Sequence, residues 1–277
     1  MMKSLLQTNV VVLALLSGMT LACGPTPPPG VGGAGGVGGT GGSGGSVEHP
    51  CTPKASQTVV IGDSYINWVS HSFPTDMARV AGETWRMYAI GGTSMGSGGI
   101  GLIPDQFDRA LAADPDIKTV VMTGGGNDVL VCDGVRWPNC ASCKNGSIAE
   151  PCPSIVQTAL DRAEQVMQKA ASSGVRDVVY FFYPHVPNGT LIGGTNPNNI
   201  LDFALPKVKA LCDSAASKTG GRLRCHFVDM IPVFANHPEY FVSGDIHPNS
   251  LGSAAMAQAI WANMRTNCVS QKSGCCQ

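Results

Sequence analysis

Five short runs of apolar and β-branched residues, separated by amphipathic stretches, limit what this chain can fold into more than any other feature. Each run is nearly continuous in apolar character, as expected for a strand that is covered on both faces of a parallel sheet. The runs are Thr58–Ile61, Trp85–Ile90, Thr119–Thr123, Asp177–Tyr183 and His226–Met230. Strands that alternate with helices through right-handed crossovers predict an α/β fold, namely a three-layer α/β/α sandwich around a five-stranded parallel sheet.

The stretches between these runs carry apolar residues at helical spacing. The expected helices are Trp68–Ala81, Ile103–Ala113, Ser154–Ser173, Ile200–Thr219 and Leu251–Met264. In a parallel sheet, ligands bind in the crevice formed by the loops that follow the carboxyl ends of the strands. Reactive side chains are therefore expected directly after strands.

The amino-terminal segment, residues 1–23, is typical of an export signal. Lys3 precedes the apolar run Val10–Leu16, which is too short to span a bilayer. The segment ends in Leu21-Ala22-Cys23, which resembles the lipobox of bacterial lipoproteins, and Cys23 is then the expected lipid anchor. The alternative is an ordinary signal peptide that is cleaved near Ala22.

Residues 24–50 are rich in Pro and Gly and have little apolar surface to bury, so we expect a flexible linker. The folded domain is expected over residues 51–277, with a Cys-rich insertion at residues 131–153. These features predict an exported protein that is lipid-anchored in the bacterial cell envelope, at the outer membrane or cell surface, or is otherwise secreted. A membrane, reached through the anchor, is the expected partner of these features, and we expect a monomer.

The chain has 11 cysteines, an odd number, which leaves ten for disulfides once Cys23 is assigned to lipid. Cys212 and Cys225 flank a helix-to-strand turn, and we pair them. Pairing stays open within two groups of four, which are Cys132, Cys140, Cys143 and Cys152 in the insertion, and Cys51, Cys268, Cys275 and Cys276 near the ends of the domain. The CxxC spacing at Cys140 has neither a second CxxC nor a His at finger spacing, so structural disulfides are favoured and no metal is expected.

The charge of the chain argues against nucleic-acid partners. The formal net charge is −1 and no cluster of Lys and Arg is present. Binding to a phosphate backbone needs a dense basic face. We therefore expect no nucleic acid among the partners.

The first strand runs directly into Gly62-Asp63-Ser64-Tyr65. A serine at a strand-to-helix turn presents its hydroxyl at the edge of the sheet, and the amino terminus of a helix that begins there adds partial positive charge. Ser64 is therefore a candidate nucleophile. Its alternative role is to cap that helix.

Glycines follow the second and third strands. Gly91 and Gly92 directly follow the second strand, and the segment Gly124-Gly125-Gly126-Asn127-Asp128 follows the third strand. Glycine lets the backbone approach a substrate closely and point N–H groups at it. The Asn127 amide adds a side-chain donor, so these loops can supply the donors that a tetrahedral oxyanion requires. Their alternative role is turn formation.

Near the carboxyl terminus, the segment Ser243-Gly244-Asp245-Ile246-His247-Pro248-Asn249 precedes the last helix. His247 is the candidate base for Ser64, and Asp245 is the candidate residue that orients its imidazole. The remaining histidines are expected to be surface or capping residues; they are His49, His71, His185, His226 and His237.

These four blocks, in this order, resemble the SGNH (GDSL-type) hydrolase superfamily, and the similarity spans residues 57–266. The resemblance implies a flavodoxin-like α/β/α sandwich in which Ser64 is the nucleophile and His247 the base. It also implies an oxyanion hole made of the Ser64 N–H, the Gly92 N–H and the Asn127 amide. Gly91 is the fallback for Gly92, because the block after the second strand lacks the Asn that is usual in the family.

The acidic residue departs from the family pattern. It usually lies three positions before the histidine, where this chain has Gly244, whereas Asp245 lies two positions before. Two alternatives follow. Either a local change of the backbone lets Asp245 reach the imidazole, or a Ser–His dyad works with a carbonyl or a water molecule behind it.

The resemblance implies a serine esterase that hydrolyses acyl esters, acetyl esters among them, of a carbohydrate or lipid through an acyl-enzyme, without metal or cofactor. Two other functions stay open: a non-catalytic carbohydrate-binding surface module, and an O-acyltransferase that acts on envelope sugars. The GxGxxG pattern at residues 96–101 is separated from the second strand and is not expected to bind a dinucleotide. Asn67, and not a lysine, lies three residues after Ser64, Ser64 does not lie in a GxSxG motif, and the sequence has no HExxH, so no motif supports these other hydrolase mechanisms.

Overall fold

The computed structural model of the chain describes residues 55–70, 72–96, 99–130, 143, 148–187, 190 and 197–269. The expected export signal, the expected linker and most of the insertion lie outside these residues. So do several individual residues named above, which are Cys23, His49, Cys51, His71, Cys132, Cys140, Cys275 and Cys276.

The sheet has five parallel strands in the order β2-β1-β3-β4-β5. The strands are β1 (Thr58–Ile61), β2 (Arg86–Met87), β3 (Thr119–Met122), β4 (Asp177–Phe182) and β5 (Arg224–Asp229). Every residue of the three central strands is buried, which explains why their sequences are so continuously apolar. The predicted α/β fold with a five-stranded parallel sheet is confirmed.

Helices cover both faces of this sheet. They are α1 (Phe73–Ala81), α2 (Ile103–Ala113), α3 (Gly126–Leu130), α4 (Cys152–Ser172), α5 (Asn198–Lys218), α6 (Ile231–Phe234) and α7 (Ser250–Thr266). In one layer α1 packs against α7, and in the other α4 packs against α2 and α5. None of the described helices combines the length and the apolar character that a membrane crossing requires.

The first predicted helix was wrong at its amino end, because α1 begins at Phe73 and not at Trp68. Pro74 occupies its first turn, the helical position that proline tolerates best because no intrahelical N–H bond is needed there. The predicted insertion also ended too late, since α4 already begins at Cys152.

Two strands differ from the prediction by more than one residue at one end. The second strand is regular only at Arg86–Met87, although the N–H groups of Tyr88 and Ile90 still donate to the carbonyls of Val60 and Gly62, at 2.9 and 3.1 Å. This stretch therefore continues beside β1 as an irregular extension. The last strand begins at Arg224, before the apolar run, because β5 is an edge strand and tolerates exposed residues.

Two disulfides join described cysteines. Cys212 and Cys225 link α5 to β5 with a Cα–Cα distance of 5.1 Å, as paired from the sequence. Cys143 is bonded to Cys152 at the start of α4, with a Cα–Cα distance of 5.0 Å. Cys268 is also disulfide-bonded.

A buried ion cluster lies at the amino ends of β4 and β5. Asp177 is 1% exposed, and its carboxylate contacts His226 Nε2 at 2.9 Å and the Arg224 guanidinium at 2.8 Å. His226 is therefore part of a buried cluster, not the surface or capping residue that was expected. Burial alone would raise the pKa of Asp177, but the hydrogen bonds and charges of His226 and Arg224 together bring it below its ordinary value.

Asp177→Asn should destabilise the domain by about 2 kcal/mol at pH 7, since a charged acceptor is lost from two hydrogen bonds. A carboxyl whose pKa is lowered by folding contributes stability above its unfolded pKa of about 3.9, and that contribution is lost as the pH falls through the folded pKa. The difference in the free energy of unfolding between variant and wild type, measured with urea, should therefore become smaller as the pH falls from 5 to 3. Asp213→Asn, which breaks an exposed pair with Lys209, is the control and should change little at either pH. A difference independent of pH would contradict this assignment.

Candidate active site

The turn after β1 carries Ser64. Gly62 has φ 150°, and a Cβ there would lie 2.6 Å from Ile66 Cδ1 and 3.0 Å from the carbonyl oxygen of Thr123. The Asp63 carbonyl accepts from the N–H groups of Ile66 and Asn67, both at 3.1 Å. Ser64 thus lies in a short turn. Since α1 begins at Phe73, the expected helix-terminal charge at Ser64 is absent, and that part of the prediction was wrong.

The buried side chain of Gln106, from α2, fixes this turn. Its Oε1 accepts from the Gly62 N–H at 2.7 Å, and its Nε2 donates to the Gly62 carbonyl at 2.9 Å and to Thr93 Oγ1 at 2.9 Å. One amide therefore joins the serine turn to the loop that follows the second strand.

Ser64, His247 and Asp245 form a chain of hydrogen bonds. His247 Nε2 is 2.9 Å from Ser64 Oγ, and His247 Nδ1 is 2.8 Å from Asp245 Oδ1. All three come from the carboxyl-terminal side of the sheet, as the topology requires. The structure therefore brings together the three residues that the sequence named as nucleophile, base and orienting acid.

A tight turn lets Asp245 reach the imidazole in spite of the unusual spacing. The Asp245 N–H donates to the Val242 carbonyl at 3.0 Å, and Gly244 has φ +74°, a conformation that favours glycine. The Val242 N–H donates to the His247 carbonyl at 3.0 Å and closes the segment. Of the two alternatives drawn from the sequence, the geometry has the first: the local backbone carries Asp245 to the ring.

Asp245 has the charge that this role needs. Partial burial alone would raise its pKa, but the hydrogen bond and charge of His247, with the N–H groups of Ile246 and His247, together hold the pKa below its ordinary value. Asp245 is then a carboxylate at neutral pH. An imidazole that donates its Nδ1–H to this carboxylate presents the Nε2 lone pair to the Ser64 hydroxyl.

Three contacts fasten the histidine loop to the serine loop. The Trp68 ring stacks on the His247 ring with centroids 4.6 Å apart and 14° between the planes. Tyr65 Oη donates to the Ile246 carbonyl at 2.6 Å, and Ser70 Oγ donates to the Pro248 carbonyl at 2.9 Å. These contacts restrict the imidazole at one ring face and through the residues on either side of His247.

Of the candidate oxyanion donors, Asn127 shares a cleft with the Ser64 hydroxyl. Asn127, in the first turn of α3, donates from Nδ2 to the Thr93 carbonyl at 2.8 Å, which fixes its amide, and it lines the same cleft as Ser64. Gly92 has φ +79°. A Cβ on Gly91, by contrast, would lie 2.9 Å from the Trp68 ring, so Gly91 allows the close packing of that ring.

Asp128 orders the loop that carries Gly92. Its carboxylate accepts from the N–H groups of Met95 at 2.7 Å and Gly96 at 2.6 Å. Among the described residues, no group of three or more His, Cys, Asp or Glu is arranged to hold a metal ion.

The chain matches the model of the GDSL-like lipase/acylhydrolase family over residues 60–255, a range that includes Ser64, Asn127 and His247. The chain belongs to this family. No curated protein sequence matches it significantly.

Several solved structures are similar to this GDSL-like acylhydrolase. An extracellular lipase from Streptomyces rimosus is similar with 19% identity and a TM-score of 0.50, covering 73% of this chain and 98% of the lipase. A putative arylesterase from Agrobacterium tumefaciens has 16% identity and a TM-score of 0.48, over 76% and 98% of the two chains. A carbohydrate acetylesterase from Sinorhizobium meliloti has 11% identity and a TM-score of 0.47, over 75% and 98%. At these identities the likeness concerns the fold.

Sequence analysis missed the residues behind the site of this acylhydrolase. Buried Asp63 accepts from the Tyr65 N–H at 3.0 Å and from the Tyr183 hydroxyl, which in turn accepts from the Gly126 N–H at 3.1 Å. Tyr183 thereby links the serine turn to the glycine loop before Asn127. The only sequence feature that could have pointed to Asp63 is its position inside the Gly62-Asp63-Ser64 motif. No motif or spacing pointed to Tyr183 or Gln106.

Burial raises the pKa of Asp63, while the Tyr183 and Tyr65 hydrogen bonds and the nearby His247 charge lower it, and the net result is a pKa above the ordinary value. A carboxyl with a raised folded pKa weakens the folded state as the pH rises above its unfolded pKa of about 3.9. Tyr183→Phe removes a donor to the carboxylate and should strengthen this effect. The loss of stability should be about 1–3 kcal/mol at pH 8 and smaller at pH 5, measured by urea unfolding.

Tyr180→Phe is the matched control. It removes a buried tyrosine hydroxyl that donates to a backbone carbonyl, that of Gly124 at 3.1 Å, instead of to a carboxylate. Its loss should be the same at both pH values. Equal losses for Tyr183→Phe at pH 5 and pH 8 would show that its hydroxyl does not stabilise the charged form of Asp63.

Proposed function

We propose that this GDSL-like acylhydrolase is a serine esterase that cleaves acyl esters, including acetyl esters, of a carbohydrate or lipid through a covalent acyl-enzyme. The observation that carries the proposal is the 2.9 Å contact between His247 Nε2 and Ser64 Oγ, which joins residues 183 positions apart, with Asp245 behind the imidazole. This arrangement of nucleophile, base and orienting acid is that of serine hydrolases.

The reaction follows from the positions of these groups. Ser64 Oγ attacks the ester carbonyl carbon while His247 Nε2 takes the hydroxyl proton. The resulting oxyanion accepts hydrogen bonds from the Ser64 N–H, the Gly92 N–H and the Asn127 amide. Collapse expels the alcohol, which receives the proton from His247.

A water molecule then attacks the acyl-enzyme, and His247 takes its proton. The second tetrahedral intermediate collapses to free acid, and the proton returns to Ser64 Oγ. With an alcohol of a sugar in place of water, the same residues would perform O-acyl transfer, so the products decide between the two reactions. The shifted position of Asp245 in the sequence is the one feature that favours a non-catalytic carbohydrate-binding module, and the contact between Asp245 and His247 counts against that alternative.

We also propose that the enzyme works outside the cytoplasm, lipid-anchored through Cys23 in the bacterial cell envelope or otherwise secreted. The sequence of residues 1–23 supports this location. The Cys143–Cys152 and Cys212–Cys225 disulfides support it too, because such bonds persist in oxidising compartments.

Ser64→Ala and His247→Ala should each lower the hydrolysis of p-nitrophenyl acetate by about 10³-fold or more, because each removes a group that forms or breaks a bond. Thermal unfolding should show that both variants stay folded. His185→Ala is the control, since this histidine pairs with Asp202 on the surface, and it should retain the wild-type rate. Wild-type turnover by Ser64→Ala would refute the proposal, and an acylated sugar in place of free acid would identify a transferase.

Asp245→Asn should lower kcat/KM by about 10⁴-fold, less than His247→Ala, because the imidazole remains but loses the carboxylate that orients and stabilises it. Asp202→Asn, at the surface His–Asp pair, should have no effect. Equal losses in Asp245→Asn and His247→Ala would show that the carboxylate is as necessary as the base. Because the pKa of Asp245 is lowered, its protonation should not limit the wild-type rate above about pH 4.

A further inference from the structure

The space beside Ser64 shares part of its wall with a second, apolar space. The first is a cleft of about 350 Å³, including the part open to solvent, which contains Asp63, Ser64 and Asn127 and is otherwise lined by Tyr65, Gly126, Tyr183, Val186, Leu201 and Ile246. The second is an inner cavity between the sheet, α4 and α5, lined by apolar side chains such as Val129, Val156, Leu160, Ile200, Ala204 and Val208.

The geometry of the tetrahedral intermediate assigns the cleft to the acyl group. The oxyanion must face Asn127, and the leaving oxygen must face His247 Nε2, which takes and returns the proton. His247 is covered by Trp68, which is 40% exposed, so the alcohol lies on the solvent side. The remaining substituent of the carbonyl carbon, the acyl chain, then points into the cleft.

The cleft and the inner cavity share three residues, Gly126, Tyr183 and Leu201, which form the partition between them. Tyr183 is held in place by the hydrogen bonds of its hydroxyl with Asp63 and the Gly126 N–H. Leu201, in the first turn of α5 and 3% exposed, is held by packing alone, so it is the member that a substitution can open.

The inner cavity suits a hydrocarbon chain and not a polar group. Among the lining residues that the structure describes, only Tyr180 and Tyr183 carry a polar side-chain atom, and both hydroxyls already have protein partners, Gly124 and Asp63. Pockets lined in this way favour apolar ligands over polar ones. A longer acyl chain would therefore find a favourable environment there once the partition is open.

We propose that the cleft is the acyl subsite, that Leu201 closes its inner end, and that the enzyme therefore prefers short acyl chains. This inference rests on the proposed esterase function and deepens it. Leu201 acts as a specificity residue, because it limits the chain length without contacting the reacting atoms.

The test is a series of p-nitrophenyl esters from acetate to octanoate, assayed with wild type, Leu201→Ala and the milder Leu201→Val. The wild-type kcat/KM should fall for chains longer than butyrate. In Leu201→Ala the ratio of kcat/KM for hexanoate over acetate should rise about tenfold or more, since each methylene accepted by an apolar pocket changes specificity by about that factor. Leu201→Val should shift the ratio in the same direction by less.

Leu211→Ala is the matched control. Leu211 is a buried leucine of the same helix, 7% exposed, and it lines neither space, so its loss should leave the ratio unchanged. A folded Leu201→Ala or Leu201→Val enzyme with the wild-type ratio would overturn the proposal. So would a wild-type enzyme that hydrolyses octanoate as well as acetate.

A second measurement does not depend on catalysis. In the Ser64→Ala background, hexanoate should raise the midpoint of thermal unfolding more when Leu201→Ala is also present. If no ester is hydrolysed but this shift appears, the esterase function fails and the subsite stands. If the double variant gains no greater shift than Ser64→Ala alone, the subsite is refuted, whatever the rates of hydrolysis.

Discussion

The hydrogen bond between His247 and Ser64 joins two turns that are 183 positions apart, and much of the surrounding structure serves to preserve it. The parallel sheet brings both turns to the same edge, because β1 is one of its three inner strands and the last helix packs against α1. On this scaffold the stack of Trp68 and the bond from Tyr65 to the Ile246 carbonyl set the position of the imidazole. A displacement of about 1 Å at such a contact is enough to slow catalysis severely.

Buried carboxylates connect the loops of the site, and each is matched by donors. Asp63 accepts from a backbone N–H and from Tyr183, and Asp128 accepts from two consecutive N–H groups of the loop after the second strand. Without such partners, a buried carboxylate costs several kcal/mol. Any geometry that breaks these hydrogen bonds is therefore unfavourable, so the network is held in one arrangement, as preorganised catalysis requires.

Motifs that are contiguous in the chain could be predicted from the sequence. The positions of Ser64, Asn127 and His247 after buried strands or before the last helix followed from local patterns, and the limits of α2 were predicted correctly. Tyr183 could not be predicted, because its partner Asp63 is 120 positions away and no spacing rule connects them. The same holds for Gln106, whose side chain is hydrogen-bonded to the backbone of Gly62, 44 positions away. The sequence also suggested a helix directly after Ser64, because amphipathic spacing does not record where the first helical N–H bond forms.

The turn of residues 242–247 holds Asp245 and His247 by bonds within itself, namely Asp245 N–H to the Val242 carbonyl and Val242 N–H to the His247 carbonyl. Asp245 and His247 consequently belong to one internally bonded turn, while the bond from His247 to Ser64 crosses between two separate loops. In the proposed mechanism, a shift of this turn against the serine loop would interrupt proton transfer while the carboxylate stayed bonded to the imidazole.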